Sequence, residues 1–199
     1  MIKSKSIDKE KTDRKKTEDM KEGALSPRFS IRVILYYLVA AVIIAVDQAV
    51  KRVVASNMYP GQSIPLINDA LHITYVRNQG AAFSMWQQQW VILIVLPAVV
   101  LIAALVLICI KGKTWHPCIL LSVSFICGGG IGNVVDRISQ GYVVDFLDCR
   151  FIPFMDFPVF NIADIFVCVG CGLLLFYVIF VDGKKEDTAK EKKSGEHRD

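Results

Sequence analysis

Two aspartates in the last third of the chain, Asp145 and Asp164, have the residue type and the setting for acid–base chemistry. Asp145 lies between Val144 and Phe146, and Asp164 follows Asn161 at the start of an apolar run. An apolar setting favours the protonated carboxyl group, whereas a helix N-terminus favours the ionised form. We therefore expect Asp145 to hold a proton and Asp164 to be charged. Such a pair supports aspartic-type hydrolysis, in which one acid activates water and the other protonates or hydrogen-bonds the attacked carbonyl.

The elements that must position these acids are membrane spans. Hydrophobic residues make up 53% of the 199-residue chain, although both ends are rich in charge. They concentrate in four stretches, each close to the roughly 20 residues that an α-helix needs to cross a bilayer. The predicted spans are residues 31–50, 90–110, 118–135 and 162–181, with Pro97 as a candidate kink in the second. The sequence thus predicts an α-helical membrane protein with four transmembrane helices. Residues 31–182 form its catalytic domain, and the charged tails 1–30 and 183–199 are expected to be disordered.

The basic residues predict the orientation, because Lys and Arg near the spans are retained on the cytoplasmic side. Residues 1–32 contain ten of them and residues 182–199 contain six, whereas segments 51–89 and 136–161 together contain five. Both termini are therefore predicted to be cytoplasmic, with the two segments outside. Alternation from Leu71 to Val76 predicts a strand, and so a small extracytoplasmic β-sheet at the interface. Trp86 and Trp90 fit an aromatic belt at the start of the second span.

Other classes of function lack the residues they need. A Ser–His or Cys–His nucleophile requires a histidine, and only His72 lies in a segment predicted outside. Clustered His and Cys ligands for zinc are absent there, so we predict no metal and no other cofactor. The net charge of +4 reflects membrane orientation rather than nucleic-acid binding. Cys168 and Cys171 form a CxxC pair, but inside an apolar helix, where packing is the simpler interpretation.

Polar residues in the first outer segment are candidates to support the acids. Asp47 and Lys51 are four residues apart and share a helix face near the outer end of the first span. They form either a surface ion pair that ends the helix or a part of the site at membrane depth. Further along, Asn78 offers amide donors and an acceptor, and Gly80 permits an unusual turn.

A second set of polar residues lies at the end of the third span. Gly128 and Gly132 have the spacing that lets membrane helices approach closely. Asn133, Asp136 and Arg137 follow on one side of the next turn. Asp136 and Arg137 could neutralise each other, with Asn133 bonded to them or to a substrate backbone. Structural and substrate-binding roles are equally supported by the sequence, since buried polar groups need partners in either case.

The start of the fourth span has a simple local interpretation. Asn161 fits an N-cap and Asp164 the acidic third residue of a capping box. A cap explains only one acid, however, whereas the predicted topology brings Asp47, Asp136, Asp145 and Asp164 to the same membrane face. The remaining charged residues of the second outer segment are expected to be solvated: Asp148, Arg150 and Asp156.

With these residues in view, the sequence resembles the signal peptidase II family, bacterial membrane aspartic proteases that process lipoproteins. The resemblance covers residues 31–181 and rests on five ordered blocks: DQAVK, NQGAAF, GGGIGNVVDR, VVDF and FNIAD. It implies cleavage of diacylglyceryl-modified prolipoproteins just before the lipidated cysteine. Asp145 and Asp164 match the family's catalytic aspartates. Its supporting polar residues match Asp47, Asn78, Asn133, Asp136, Arg137 and Asn161.

The resemblance also implies a location and partners. We expect a monomer in the bacterial inner membrane, in contact with phospholipid and lipidated prolipoproteins, with its active site on the extracytoplasmic side. It implies an outer-face sheet that cradles substrate. The charged N-terminal extension is longer than is typical of the family.

Three other functions compete with this one. A proton-coupled transporter would place its acids near the midplane on broken helices of repeated halves, and no repeat is visible. A presenilin-like protease would carry a Gly-x-Gly-Asp motif, whereas GIGN ends in Asn133. A non-catalytic four-span scaffold leaves the clustered acids unexplained.

Overall fold

The structure is a computed structural model that describes residues 31–80, 89, 91–151 and 157–182. The predicted disordered tails, the aromatic belt of Trp86 and Trp90, and Asp156 lie outside the described residues.

Four helices are long and apolar enough to cross a membrane, which confirms the predicted four-span architecture. They are α1 (Ile31–Asn57), α2 (Val91–Lys111), α3 (Pro117–Gln140) and α4 (Ile162–Asp182). The first turn of α2, Val91–Val95, and the last of α4, Tyr177–Asp182, are π-helical. Pro97 is the second residue of the α-helical part of α2 and so lies at the change of helix type, where its missing N–H is tolerated.

Two helices extend beyond the predicted spans. α1 continues from Val50 to Asn57, because Asp47 and Lys51 are buried in the protein rather than ending the helix. α3 continues to Gln140 and ends at Gly141, whose φ of 81° is the left-handed conformation of a helix C-cap. Lys51 on α1 and both Asp136 and Arg137 on α3 therefore sit on regular helix and not in loops.

Three antiparallel strands form a small sheet in the order β1 (Ser63–Ile67), β2 (Leu71–Asn78) and β3 (Val143–Cys149). The strand predicted from the alternation at Leu71 is thus present. One face of the sheet packs on the end of α1, where Tyr75, Val144 and Phe146 surround Val54. This contact fixes β2 and β3 over the end of the helix bundle.

The opposite end of the bundle is closed by different contacts. Val33, Ile108 and Leu120 bring the start of α1 to the end of α2 and the start of α3. Arg32 donates to the carbonyl oxygen of Trp115 between α2 and α3. The sheet and the α2–α3 connection therefore lie at opposite ends of the spans.

Close helix packing depends on glycine in α3. A Cβ at Gly128 would meet Ile43 and Ala40 of α1 at 2.9–3.0 Å. A Cβ at Gly129 would collide with the carbonyl oxygen of Ala163 in α4. These contacts bring α1 and α4 against α3 and so draw together the polar residues near their ends.

Candidate active site

Asp145 and Asp164 line the same cavity, which has a volume of about 540 Å³. Asp145 projects from the middle of β3 and is only 2% exposed, whereas Asp164 lies half-buried in the first turn of α4. The other polar side chains of the lining are Asn78, Asn133 and Arg137. The aspartates that the sequence singles out thus share one site, although 19 positions separate them.

The carboxylate of Asp145 is held by two amides. Asn78 donates to Oδ2 over 2.9 Å and Asn161 donates to Oδ1 over 2.7 Å. Burial raises the pKa of Asp145 to about 6; the charge of Asp164 acts in the same direction, while the two amide hydrogen bonds oppose it. Near neutral pH this acid can therefore exchange its proton readily.

Asp164 is both a helix cap and a member of the site. Its Oδ2 accepts from the backbone N–H of Asn161, and its own N–H donates to Oδ1 of Asn161, each over 3.0 Å. The predicted capping box is therefore present. The remaining oxygen, Oδ1, accepts from Nδ2 of Asn133 over 2.8 Å. The cap leaves this carboxylate pointing into the cavity and fixes its rotamer.

Lys51 is the centre of the supporting network and is 2% exposed. Its ammonium group lies 2.8 Å from Oδ2 of Asp47, 3.0 Å from Oδ2 of Asp136 and 2.8 Å from Oδ1 of Asn133. Three acceptors match the three protons of an ammonium group. The interpretation of Asp47 and Lys51 as a simple surface pair is therefore wrong, because the pair joins α1 to α3 inside the protein.

Two further bonds tie this network to the aspartates. Oδ1 of Asp47 accepts from the backbone N–H of Ala163 over 2.9 Å, next to Asp164. Oδ2 of Asp136 accepts from the backbone N–H of Val144 over 3.3 Å, next to Asp145. Each supporting acid therefore anchors the element that carries one of the cavity aspartates.

Arg137 does not pair with Asp136, one of the arrangements that the sequence left open. Its guanidinium group donates to the carbonyl oxygen of Gly80 over 2.9 Å and to that of Asn133 over 3.4 Å, while Asp136 pairs with Lys51 instead. The side chain of Asn78 accepts from the N–H of Gly80 over 3.0 Å. The turn at Gly80 is thus held by both residues, and Nε of Arg137 is buried without a hydrogen-bond partner among the described residues.

Gln48 also belongs to the network, although it is not among the residues predicted from the sequence. Its Nε2 donates to Oδ1 of Asp136 over 2.7 Å and to the carbonyl oxygen of Gly132 over 3.2 Å. The available signal was its place three residues before Lys51, which puts both side chains on one helix face.

The prediction that Asp148 is solvated is wrong. It is 7% exposed and accepts from Thr74 on β2 and from Arg150, each over 2.6 Å. Burial alone would raise the pKa of Asp148, but the hydrogen bonds from Arg150 and Thr74 outweigh it and lower the pKa below its usual value. Asp148 thus fastens β3 to β2 outside the cavity.

The chain is similar to known proteins over most of its length. The family model described as signal peptidase (SPase) II matches residues 39–180. A lipoprotein signal peptidase of Brevibacillus brevis is 47% identical over 150 residues, which cover 75% of this chain and 97% of that protein. One of Halothermothrix orenii is 40% identical over 144 residues, covering 72% and 94%.

Solved structures agree with the fold. A structure described as a bacterial membrane enzyme determined by the in meso method at 2.3 Å is 32% identical, with a TM-score of 0.67, and the match covers 76% of this chain and 89% of that one. A second structure of the same description at 1.9 Å is 31% identical, with a TM-score of 0.66, covering 77% and 96%.

Proposed function

The chain belongs to the signal peptidase II family of aspartic peptidases, and we propose that Asp145 and Asp164 are the pair with which it cleaves prolipoproteins. The relatives that this chain matches over nearly their whole length are lipoprotein signal peptidases. The protein is accordingly a bacterial membrane endopeptidase that removes signal peptides from prolipoproteins. The observation that carries the assignment of the pair is their shared cavity together with the raised pKa of Asp145.

The two acids take different roles in this reaction. Asp145, with a pKa of about 6, holds the proton that is donated to the scissile carbonyl oxygen. Asp164 accepts a proton from water as the water oxygen bonds to the carbonyl carbon. The resulting tetrahedral species collapses when the peptide C–N bond breaks and the leaving amine takes up a proton from the pair. No metal or other cofactor is required for these steps.

The amides and the guanidinium group act as positioning and binding groups. Asn161 joins the pair, since its Nδ2 donates to Asp145 and its Oδ1 accepts from the N–H of Asp164. Arg137 lines the cavity, where its guanidinium group can donate to a substrate carbonyl. Apolar residues form the rest of the wall, including Phe157, Phe160, Ile165 and Val169, and they suit a substrate with an apolar segment and attached acyl chains.

The membrane setting completes the proposal. The sheet end of the bundle faces the extracytoplasmic side and both termini are cytoplasmic, as the distribution of basic residues favours. The substrate is a diacylglyceryl-modified prolipoprotein, cut before its lipidated cysteine, and the enzyme works as a monomer surrounded by phospholipid.

The test is cleavage of a lipidated prolipoprotein by the full chain in membranes. Asp145→Asn and Asp164→Asn should each lower kcat by at least about 100-fold, the contribution expected of a general acid or base. Asp182→Asn, at the far end of α4, is the matched control and should cleave normally. Near-normal turnover by either cavity variant would exclude the pair.

A second test compares substrates. An unlipidated precursor should be cleaved poorly, and equal cleavage of the lipidated and unlipidated forms would exclude recognition of the lipid by the enzyme.

A further inference from the structure

The edge strand β1 presents an apolar surface outside the helix bundle. All five of its residues are exposed, although four of them are apolar in the sequence SIPLI. Ile64 is 42% exposed and Ile67 is 59% exposed. A long apolar edge strand in water is a site for unwanted association, so its partner in the folded protein has to be identified.

A β-bulge turns both isoleucines to the same face of the sheet. Ile64 pairs with Ile73, and Ile67 pairs with Leu71, after a register shift between Pro65 and Ile67. Residues directly opposite each other in a ladder point to the same face, and alternate residues of a strand do so as well. Ile64 and Ile67 therefore share the face of Leu71 and Ile73. In a regular strand they would lie on opposite faces.

This shared face is the one that rests on the helix bundle. Ile73 packs against the cluster of Tyr75 on β2 and Val54 on α1, so the face is turned toward the end of the first span. At β1 the same face continues past the helix. On α1 itself, the apolar side chains of Val46 and Val53 are exposed as well.

The other face of the sheet is polar. Ser63 bonds both Thr74, over 2.8 Å, and the ring of His72, over 3.1 Å. Thr74 in turn donates to Asp148. One face of this hairpin is therefore suited to water and the other to hydrocarbon, as in an interfacial amphipathic element.

We propose that Ile64 and Ile67 insert into the phospholipid of the leaflet beside the active site and anchor the β1–β2 hairpin to the membrane surface. β2 leads from this hairpin to Asn78, which bonds Asp145. The anchor thereby sets the height of the cavity relative to the lipid surface. The inference rests on the four spans and not on the catalytic assignment.

Photo-cross-linking in vesicles tests this directly. The full chain, with a photoreactive amino acid at position 64 or 67, is reconstituted in vesicles of phosphatidylglycerol and phosphatidylethanolamine that contain radiolabelled phospholipid. Position 46 on α1, which is exposed and lies within the predicted first span, is the lipid-facing control, and position 72 on the polar face is the control for water exposure.

After irradiation, we expect positions 64 and 67 to form lipid adducts with a yield close to that of position 46 and several-fold above that of position 72. Yields at both isoleucines no higher than at position 72 would overturn the proposal. Adducts with a second copy of the chain instead of lipid would overturn it too. The two isoleucines are independent tests, since the substitution of one leaves the other in place.

Discussion

The side chain of Asn161 donates to Oδ1 of Asp145 over 2.7 Å and caps the helix that carries Asp164. One amide thus fixes the two aspartates relative to each other. Because Asn161 is fully buried, its position is set by packing and not by solvent. The pH response, the supporting charges and the helix contacts that hold this arrangement can each be tested.

The pH profile of kcat/KM should show a loss of activity as the pH rises through about 6, because Asp145, the proposed general acid, then loses its proton. Asn78→Ala removes a hydrogen bond that favours the charged form, so the pKa of Asp145 should rise and the alkaline limb should move to higher pH. The maximal rate should fall as well. Asn68→Ala, in the β1–β2 turn, should leave the limb in place. A limb that moves to lower pH in Asn78→Ala would contradict the role given to Asp145.

Lys51→Met should destabilise the fold strongly, since it leaves Asp47 and Asp136 buried without their cation. Breaking one side of a buried ion pair costs about 3–5 kcal/mol. Arg52→Met is the matched control, because Arg52 is exposed and next in sequence, and it should unfold like the parent. Thermal unfolding in detergent measures both.

Adding Asp136→Asn to Lys51→Met should recover part of the lost stability, because one uncompensated charge is removed. Additive losses in this double variant would show that Lys51 and Asp136 do not act as a pair.

Gly132→Ala should lower both stability and activity. A Cβ at this position would lie 2.6 Å from Oδ2 of Asp47 and would displace the carboxylate that Lys51 binds. Overpacking of this kind costs about 1–3 kcal/mol. Gly172→Ala is the control, because a Cβ there meets nothing within 4 Å, and it should stabilise the helix by up to about 1 kcal/mol. Equal melting temperatures for the two variants would show that a Cβ placed against Asp47 does not destabilise the fold.

Labelling of introduced cysteines should establish the orientation. In a Cys149→Ser background, Asn68→Cys at the sheet end should react with an impermeant thiol reagent in intact spheroplasts. Lys113→Cys, between α2 and α3, should react only after permeabilisation. Both positions are exposed, so their difference reports sidedness. The reverse pattern would place the cavity on the cytoplasmic side.

The spans were predictable because the thickness of the hydrocarbon core sets the length of each apolar segment. A run of about 20 apolar residues can be recognised without knowing what packs against it. The ends of α1 and α3 were harder to predict from the sequence. Charges such as Asp47 and Lys51 resemble a helix end locally, and only contacts with α3 about 80 positions away show that they are buried. The capping box at Asn161 was readable for the opposite reason, since all its partners lie within four residues.

Partners that are distant in sequence explain the other features that could not be predicted. Asp148 has a loop-like sequence context, and its burial depends on Thr74, 74 positions earlier. The pairing of Asp136 with Lys51 rather than with Arg137 has the same cause, because the choice between two cations is made by helix packing. The approach of Asp145 to Asp164 could be inferred only through topology, and their common partner Asn161 only through its role as a cap.

The capping box has a consequence for biosynthesis. Asp164 takes its place when the first turn of α4 forms and the N–H of Ala163 bonds Asp47 of α1, and α4 is the last span to leave the ribosome. A nascent chain with three inserted spans already contains Asp145, Lys51 and Asp136 but lacks Asp164. On the proposed assignment of Asp145 and Asp164, proteolytic competence is therefore acquired in a single late step, on integration of the final helix.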